Sequence, residues 1–390
     1  MRDRKKIAVT IMIVLTAIGS FLFGFWVRDS QANQEDMKYL TTFVEVFSLI
    51  KSNFVEPVDS QNLTEEAIKG MIHGLGDKHT YYMNEQDFQH MQERTKGYFG
   101  GLGIVIGLKD DKLTVISPIE NTPAARAGMK SGDQIVQIDG KSTEKMGLEQ
   151  AVNLMRGKEG TRVKLVTYRP AAKKEQNLNL VRAKIEVPSI DSKMLEDKIA
   201  YIKMSGFTED TGKDFRAALA KCSEEGMTGL ILDLRNNPGG LLKAAVEVNE
   251  QLLPKGPIVH IKVRSGQQDT IYATGKSKYT ELPLIVLVNG GSASASEIVS
   301  GGVQDTKRGI LVGEKTFGKG SVQTVYPLSD GSGIALTTAK YMTPSGRSIH
   351  GIGIEPDVKV IWDWHESEED IQLNKALELM KEKLQVKKDA

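Results

Sequence analysis

Three short segments stand out for residues able to do covalent chemistry. The first is Leu232-Asp233-Leu234-Arg235-Asn236-Asn237-Pro238-Gly239-Gly240. The second is Val288-Asn289-Gly290-Gly291-Ser292-Ala293-Ser294-Ala295-Ser296-Glu297-Ile298, and the third runs Gly313-Glu314-Lys315-Thr316-Phe317-Gly318-Lys319-Gly320-Ser321-Val322-Gln323. In the second, small residues follow an apolar run and a helix is expected to begin near Ser296. A serine there sits beside the free N–H groups of a helix N-terminus, which favour negative charge. That suits a nucleophile next to an oxyanion site, and it equally suits an N-capping, close-packing turn. In the third, Gly313-x4-Gly318-Lys319 begins like a P-loop, but Gly320 stands where Ser or Thr would hold Mg²⁺, and a strand follows instead of a helix. The glycine-flanked lysine is then either a solvated hairpin lysine or one held in a closely packed site.

Each segment begins where a buried strand is expected to end. Leu230–Leu232 and Leu284–Val288 are short apolar runs, and Ile310–Val312 is a third. Between them, Phe215, Ala218, Leu219 and Cys222 share one helix face, and Leu241, Ala245, Val248 and Leu252 another. Alternating strands and helices from Lys198 predict a layered α/β fold, in which sites gather at the carboxyl ends of strands. Further strands are expected at Tyr201–Met204, Ser321–Tyr326 and Ile334–Lys340, and an amphipathic helix over Ile371–Leu384. No repeat of 20–50 residues is present, which excludes a solenoid.

Residues 97–170 have a different texture, Gly-rich and β-branched. Gly101-Leu102-Gly103-Ile104 and the run Pro123-Ala124-Ala125-Arg126-Ala127-Gly128 resemble a bacterial PDZ domain. The resemblance implies that Gly101, Leu102, Gly103 and Ile104 form a carboxylate-binding loop beside a strand edge that pairs with a peptide. A Rossmann phosphate loop is disfavoured, because the third glycine is misplaced and no helix opens. Arg156 follows the apolar helical run Ala151, Val152, Leu154 and Met155 at the edge of this module. It is either a solvated charge or a gate between the module and the body. Residues 36–95 read as helical, with Phe43, Val46, Phe47 and Ile50 on one face and a second helix opening at Thr64-Glu65-Glu66. His73, His79 and His90 lack ligand spacing.

At the N-terminus, Ile7–Val27 carries no charge and follows Arg2, Asp3, Arg4, Lys5 and Lys6. As a helix it would be about 31 Å long, enough for the hydrocarbon core, with the basic end cytoplasmic. A cleaved signal ending near Ser30-Gln31-Ala32 is the alternative. Both export the body.

Taken together, Ser294, Asp305, Lys319 and Gln323 stand in the order and spacing of the carboxyl-terminal processing peptidases, or tail-specific proteases, of the S41 serine peptidase family. The resemblance includes Ser292–Ile298, Gln304-Asp305, Thr316-Phe317-Gly318-Lys319-Gly320-x-Val322-Gln323, the Asn237-x-Gly239-Gly240 turn and Gly353-Ile354-x-Pro356-Asp357. It covers nearly the whole exported body. It implies a layered ββα core of the crotonase/ClpP type with an inserted PDZ domain. It also implies Ser294 as nucleophile, Lys319 as base, and an oxyanion hole from Ala295 N–H with Gly239 or Gly240. No histidine lies in the three segments, which suits a Ser–Lys pair. The lysine must be neutral to accept a proton, so its pKa of about 10.4 must fall by roughly 3 units, costing on the order of 4 kcal/mol. Gln323 fits as a neutral orienting partner. On a regular strand residues 319 and 323 would be about 13 Å apart, so a bend is expected at Gly320. Asp305 reads as a helix-terminal structural residue pairing Lys307 or Arg308, since its charge beside Lys319 would oppose catalysis. Ser142-x-x-Lys145 has β-lactamase-type spacing but no supporting motif.

The expected organisation is a basic tail at 1–6, a membrane anchor at 7–27 and a helical region at 28–95. A PDZ domain at 96–172, a peptidase core at 173–362 and a C-terminal helix with polar tail at 363–390 follow. The 390 residues suit two or three domains. With 51 Lys+Arg against 50 Asp+Glu, the net charge of +1 supplies no footprint for nucleic acid. One cysteine excludes an internal disulfide and a multi-thiolate metal site, and no cofactor is expected. Expected partners are exported proteins or peptides with free C-termini, the membrane through one helix, and a second copy through the terminal helical regions. A PDZ adaptor with an inactive protease-like body is the competing expectation; intact Ser294, Lys319 and Gln323 weigh against it.

Overall fold

The computed structural model describes residues 34–362 and 369–389. The expected anchor at 7–27 lies outside them; among the described residues no helix is long and apolar enough to cross a membrane. Of the described residues, those from 34 to Gly76 form one compact unit and those from Asp77 onward another. The first contains α1 (Gln34–Asn53) and α2 (Ser60–His73). The second helix starts at Ser60 and not at Thr64, because Asp59 accepts from the Gln61 and Asn62 N–H groups and caps it. Tyr39, Leu40, Phe43 and Val44 of α1 are exposed.

The second unit opens with β1 (Tyr81–Met83) and α3 (Glu85–Lys96). β1 pairs with a strand 250 residues further on, Tyr81 opposite Ala335. The region expected to be helical through residue 95 is interrupted by β1, and 81–96 belongs to the body.

The inserted module comprises β2 (Tyr98–Gly101), β3 (Ile104–Lys109), β4 (Lys112–Pro118), α4 (Pro123–Arg126), β5 (Gln134–Ile138), β6 (Lys141–Ser142), α5 (Leu148–Met155), β7 (Arg162–Arg169), β8 (Lys174–Val181) and β9 (Ala183–Glu186). Its sheet runs β3-β4-β5-β7-β8, with β6 on β5. β7 and β8 form a continuous hairpin from Arg162↔Val181 to Arg169↔Lys174. The boundary expected at 172 falls inside that hairpin, whose second strand runs on to Val181. Its own core includes Leu113, Val115, Ile135, Ile138, Val163 and Leu165. The β2–β9 ladder is its stem.

The body continues through β10 (Ile190–Met194), β11 (Ile199–Met204), α6 (Thr211–Glu224), β12 (Gly229–Asp233), α7 (Leu242–Leu252), β13 (Gly256–Val263) and β14 (Gln268–Ala273). Then come β15 (Leu284–Val288), α8 (Ala295–Asp305), β16 (Ile310–Gly313), β17 (Ser321–Pro327), β18 (Gly333–Met342), β19 (Val358–Lys359) and α9 (Ile371–Asp389). One sheet has the order β10-β11-β12-β15-β16-β19, parallel from β11 onward. Every residue of β12 and β15 is buried, as expected of parallel strands covered on both faces. Leu230, Leu232, Val286 and Val288 meet Phe215, Leu219, Val248 and Val299 of α6–α8. The alternate residues Ile231, Ile285 and Leu287 meet Ala376 and Met380 of α9. Cys222 is buried in the helix layer as expected.

A second sheet, β1-β18-β13-β14 with β17 on β18, closes the other side of that layer through Ile258, Val259, Ala273 and Tyr341. The expectation included β17 and β18 but not the β13–β14 hairpin. The chain crosses from one sheet to the other between β16 and β17, and that crossing carries Lys319.

Candidate active site

The three candidate segments leave the carboxyl ends of β12, β15 and β16, which are immediate neighbours in the sheet. Buried side chains stitch them together. Asn237 is 0% exposed. Its amide donates to the Met204 carbonyl and accepts from Gly239 N–H, each at 2.9 Å. Its carbonyl accepts from Ala293 N–H at 3.0 Å and from the Ser296 hydroxyl at 2.9 Å. Ser292 donates to the Leu234 carbonyl at 2.8 Å. Ser292 and Ser296 are therefore committed to the scaffold, and Ser294 is the serine of that run facing the cleft.

Ser294 is the N-cap of α8 and has φ 54° and ψ −111°. A side-chain-bearing residue in that region stores on the order of 1–3 kcal/mol. Glu297, 0% exposed, holds it there. One carboxylate oxygen accepts from Ser294 N–H at 2.9 Å and Lys319 N–H at 2.8 Å. The other accepts from the Thr316 hydroxyl at 2.6 Å and Gly318 N–H at 2.8 Å. One buried acid thus fixes the backbones of both candidate catalytic residues. Sequence reasoning missed this role, although Ser294-x-x-Glu297 is a capping-box pattern.

The Lys319 amine is half-buried and has no salt bridge among the described residues. Burial pushes its pKa below the ordinary lysine value, and the charge of Asp77 opposes that shift. Tyr341, on β18, was also missed. Its hydroxyl donates to the Lys319 carbonyl and lies against the Ser294 hydroxyl. Burial pushes the phenol far above its usual pKa, so it stays protonated. His79, read from sequence without a role, has its pKa lowered by burial and then by Lys319.

Ser294, Lys319, Gln323, Ala295, Gly239, Gly240, Tyr341 and Arg156 line one cleft of about 910 Å³. A Cβ on Gly239 would stand 2.8 Å from Ser294 Cβ and 2.9 Å from Ala295 N, so only glycine permits this approach. Gly239 N–H is already given to Asn237.

Two expectations are corrected. The irregularity that brings Gln323 round lies between Val322 and Gln323, where the β17–β18 register shifts. Gly320 serves close packing instead: a Cβ there would lie 2.7 Å from His350 N. Asp305 ends α8 but pairs neither Lys307 nor Arg308. It accepts from Ser345 N–H and Oγ at 2.9 and 2.6 Å and pairs Arg347 at 2.8 Å. Burial works against its charge, yet the Ser345 and Thr343 hydroxyls hold its carboxyl below the usual range. Arg308 instead caps the carbonyls of Leu252, Tyr279 and Leu282.

In the inserted module, β3 is an edge strand. Gly103 has φ 73°, and its carbonyl accepts from Ile119 N–H and the Thr122 hydroxyl. Leu102 is buried, and its carbonyl accepts from Ala124 N–H. Arg156 is half-buried. Its guanidinium lies 4.4 Å over the Phe99 ring, inside the cleft.

Comparison with known proteins shows the family. Residues 198–360 match the model of peptidase family S41, 114–169 that of a PDZ domain, and 26–87 that of the activating protease CtpB N-terminal domain. A carboxy-terminal-processing protease of Bartonella bacilliformis is 43% identical, over 84% of this chain and 76% of its own. The chain belongs to the carboxy-terminal processing proteases of family S41. The carboxy-terminal processing protease CtpA of Bacillus subtilis is 36% identical over 90% of this chain and 76% of its own. Among solved structures, the photosystem II D1 C-terminal processing protease shares 33% identity and a TM-score of 0.50. That match covers 82% of this chain and 86% of the other. As a member of this family the chain is a serine-type peptidase carrying a PDZ domain.

Proposed function

We propose that this peptidase cuts exported proteins by a Ser294–Lys319 mechanism after its PDZ domain has captured a free C-terminus. The observation that carries the reading is one cleft lined by a serine at a helix N-terminus and an unpaired, half-buried lysine amine. A neutral Lys319 takes the Ser294 proton as the serine oxygen attacks the scissile carbonyl. The resulting ammonium returns a proton to the leaving amine, and water then releases the acyl group by the same route. Ala295 N–H at the start of α8 supports the developing oxyanion. Gly240 is the better second donor, because Gly239 N–H is engaged by Asn237. Gln323 orients the amine without adding charge.

Capture is supported by the free edge of β3, which offers a backbone ladder to an extended peptide, next to Gly101–Ile104. Arg156, stacked on Phe99 at the foot of the module, is the proposed gate between capture and cleavage. The uncharged run 7–27 behind a basic flank supports a single-pass anchor with the catalytic body outside the cytoplasm. The exposed apolar side chains of α1 support self-association.

The test is labelling by an active-site serine probe together with cleavage of a peptide substrate. Wild type should react. Ser294→Ala should lose both signals while keeping its thermal transition. Persistent cleavage by Ser294→Ala, with loss in Ser292→Ala or Ser296→Ala, would move the nucleophile.

A further inference from the structure

We propose that Asp77 is a positioning residue for the Lys319 base, acting through the Thr337 hydroxyl on the Gln323 amide. The proposal rests on the reading of Lys319 as base. Asp77 begins the turn before β1, far in sequence from Ser294, Lys319 and Gln323. Its carboxylate accepts from Thr80 Oγ1 at 2.6 Å and His79 N–H at 3.1 Å. Thr80 Oγ1 in turn accepts from Thr337 N–H at 3.1 Å, which pins the turn to β18. The Thr337 hydroxyl faces the same carboxylate, and despite burial these groups hold the Asp77 carboxyl down at about 2. Asp77 is therefore ionised throughout the working range and can only accept.

That polarity propagates. The single Thr337 proton is drawn to Asp77, so Thr337 Oγ1 must receive a hydrogen bond from its other neighbour. It receives one from Gln323 Nε2 at 3.1 Å. The second amide proton goes to Ser321 Oγ at 2.9 Å. Both donors of Gln323 are thus consumed by neighbouring hydroxyls. The oxygen remains as the end of the amide available to the Lys319 amine in the shared cleft. An oxygen can accept from either the amine or the ammonium, whereas a flipped amide would oppose N–H to the ammonium or tie up the lone pair that must take the Ser294 proton. Asp77 also acts directly, since its charge holds Lys319 more protonated than burial alone would.

The other groups facing this spot do not substitute for Asp77. The His79 ring lies 5.9 Å from that of His350, and both are cationic when charged. Tyr341 is committed to the Lys319 carbonyl, and Glu297 to backbone donors.

The experiment uses the full chain, a chromogenic peptide, and kcat and KM across pH, with thermal unfolding of each variant. Asp77→Asn should lower kcat roughly tenfold with KM within about twofold, the scale of a misoriented catalytic group. It should also move the acid limb of activity to lower pH, because the anion raising the Lys319 pKa is gone. Thr337→Val should reproduce the loss in kcat and leave the limb in place, since the charge remains, and Thr337→Ser should restore kcat. A wild-type limb in Asp77→Asn, or wild-type kcat in Thr337→Val, overturns the proposal. So does a kcat loss that only follows the folded fraction. Substantial activity in Lys319→Ala would instead remove the base assignment itself, a result distinguishable from all of these.

Discussion

Replacing Glu297 by glutamine keeps the shape of the side chain and changes only what one of its ends can do. In the native structure the two carboxylate oxygens take four donors: Ser294 N–H, Lys319 N–H, Gly318 N–H and the Thr316 hydroxyl. A glutamine must present its NH₂ to one pair. Facing Ser294 and Lys319 would set it against two backbone donors. Facing Thr316 and Gly318 is cheaper. The Thr316 hydroxyl can turn to accept, although it already accepts from Ile354 N–H at 2.7 Å. Gly318 N–H is then left buried and unmatched, at about 1–3 kcal/mol, and the retained bonds lose their charge assistance. The sum is about 3–5 kcal/mol of stability. Relaxing that strain loosens the loop that carries Lys319 against Ser294, so kcat should fall on the order of 10²-fold. Urea unfolding and kcat on a short peptide, corrected for folded fraction, measure the two effects. A Glu297→Gln protein of wild-type stability would refute the hydrogen-bond argument. One that is destabilised but retains kcat per folded molecule would refute the coupling of Ser294 to Lys319.

Lys319→Arg should be as inactive as Lys319→Ala, because arginine keeps its proton at any usable pH. Wild-type kcat/KM should rise with pH through a lysine pKa lowered by burial. Asp305→Ala should cost about 1–3 kcal/mol through lost bonds to Ser345 and Arg347 and leave kcat per folded molecule near wild type. Because its folded pKa is depressed, that contribution is complete above the unfolded value of about 4 and drains as pH falls through the folded one. Comparing urea midpoints of the two proteins from pH 3 to 7 checks this. Arg156→Ala should slow cleavage of a long protein substrate more than that of a short peptide. Phe99→Leu removes a stacking contact of about 0.5–1 kcal/mol and should produce a smaller change, roughly two- to fivefold, in the same ratio.

What could be read from the sequence follows the range of the interactions involved. β12 and β15 are short unbroken apolar runs, and the chemistry-bearing loops follow them directly, so those loops were legible. The second sheet depends on pairings such as Tyr81↔Ala335 and His260↔Met342. Its strands β13, β14 and β17 are half-exposed, and no local pattern announces their partners. Asp305 shows the same limit. Its helix-terminal place was legible, but its cation is Arg347, 42 residues away, and not the nearer Lys307 or Arg308. Tyr341 carries no local signal at all, whereas Glu297 stood in a capping-box pattern whose second use only the fold reveals.

The same long-range contacts answer the question posed by a lysine that must lose its proton among acids. Glu297 is the acid closest along the fold, but its oxygens are saturated, and one of its donors is the backbone N–H of Lys319 itself. Asp305 turns to Arg347 beyond the far end of α8. Asp77 is held by Thr80, Thr337 and His79 N–H. Glu297, Asp305 and Asp77 are thus each engaged by partners other than the amine. Burial is left as the dominant influence on Lys319, which is the condition under which a lysine can serve as a base.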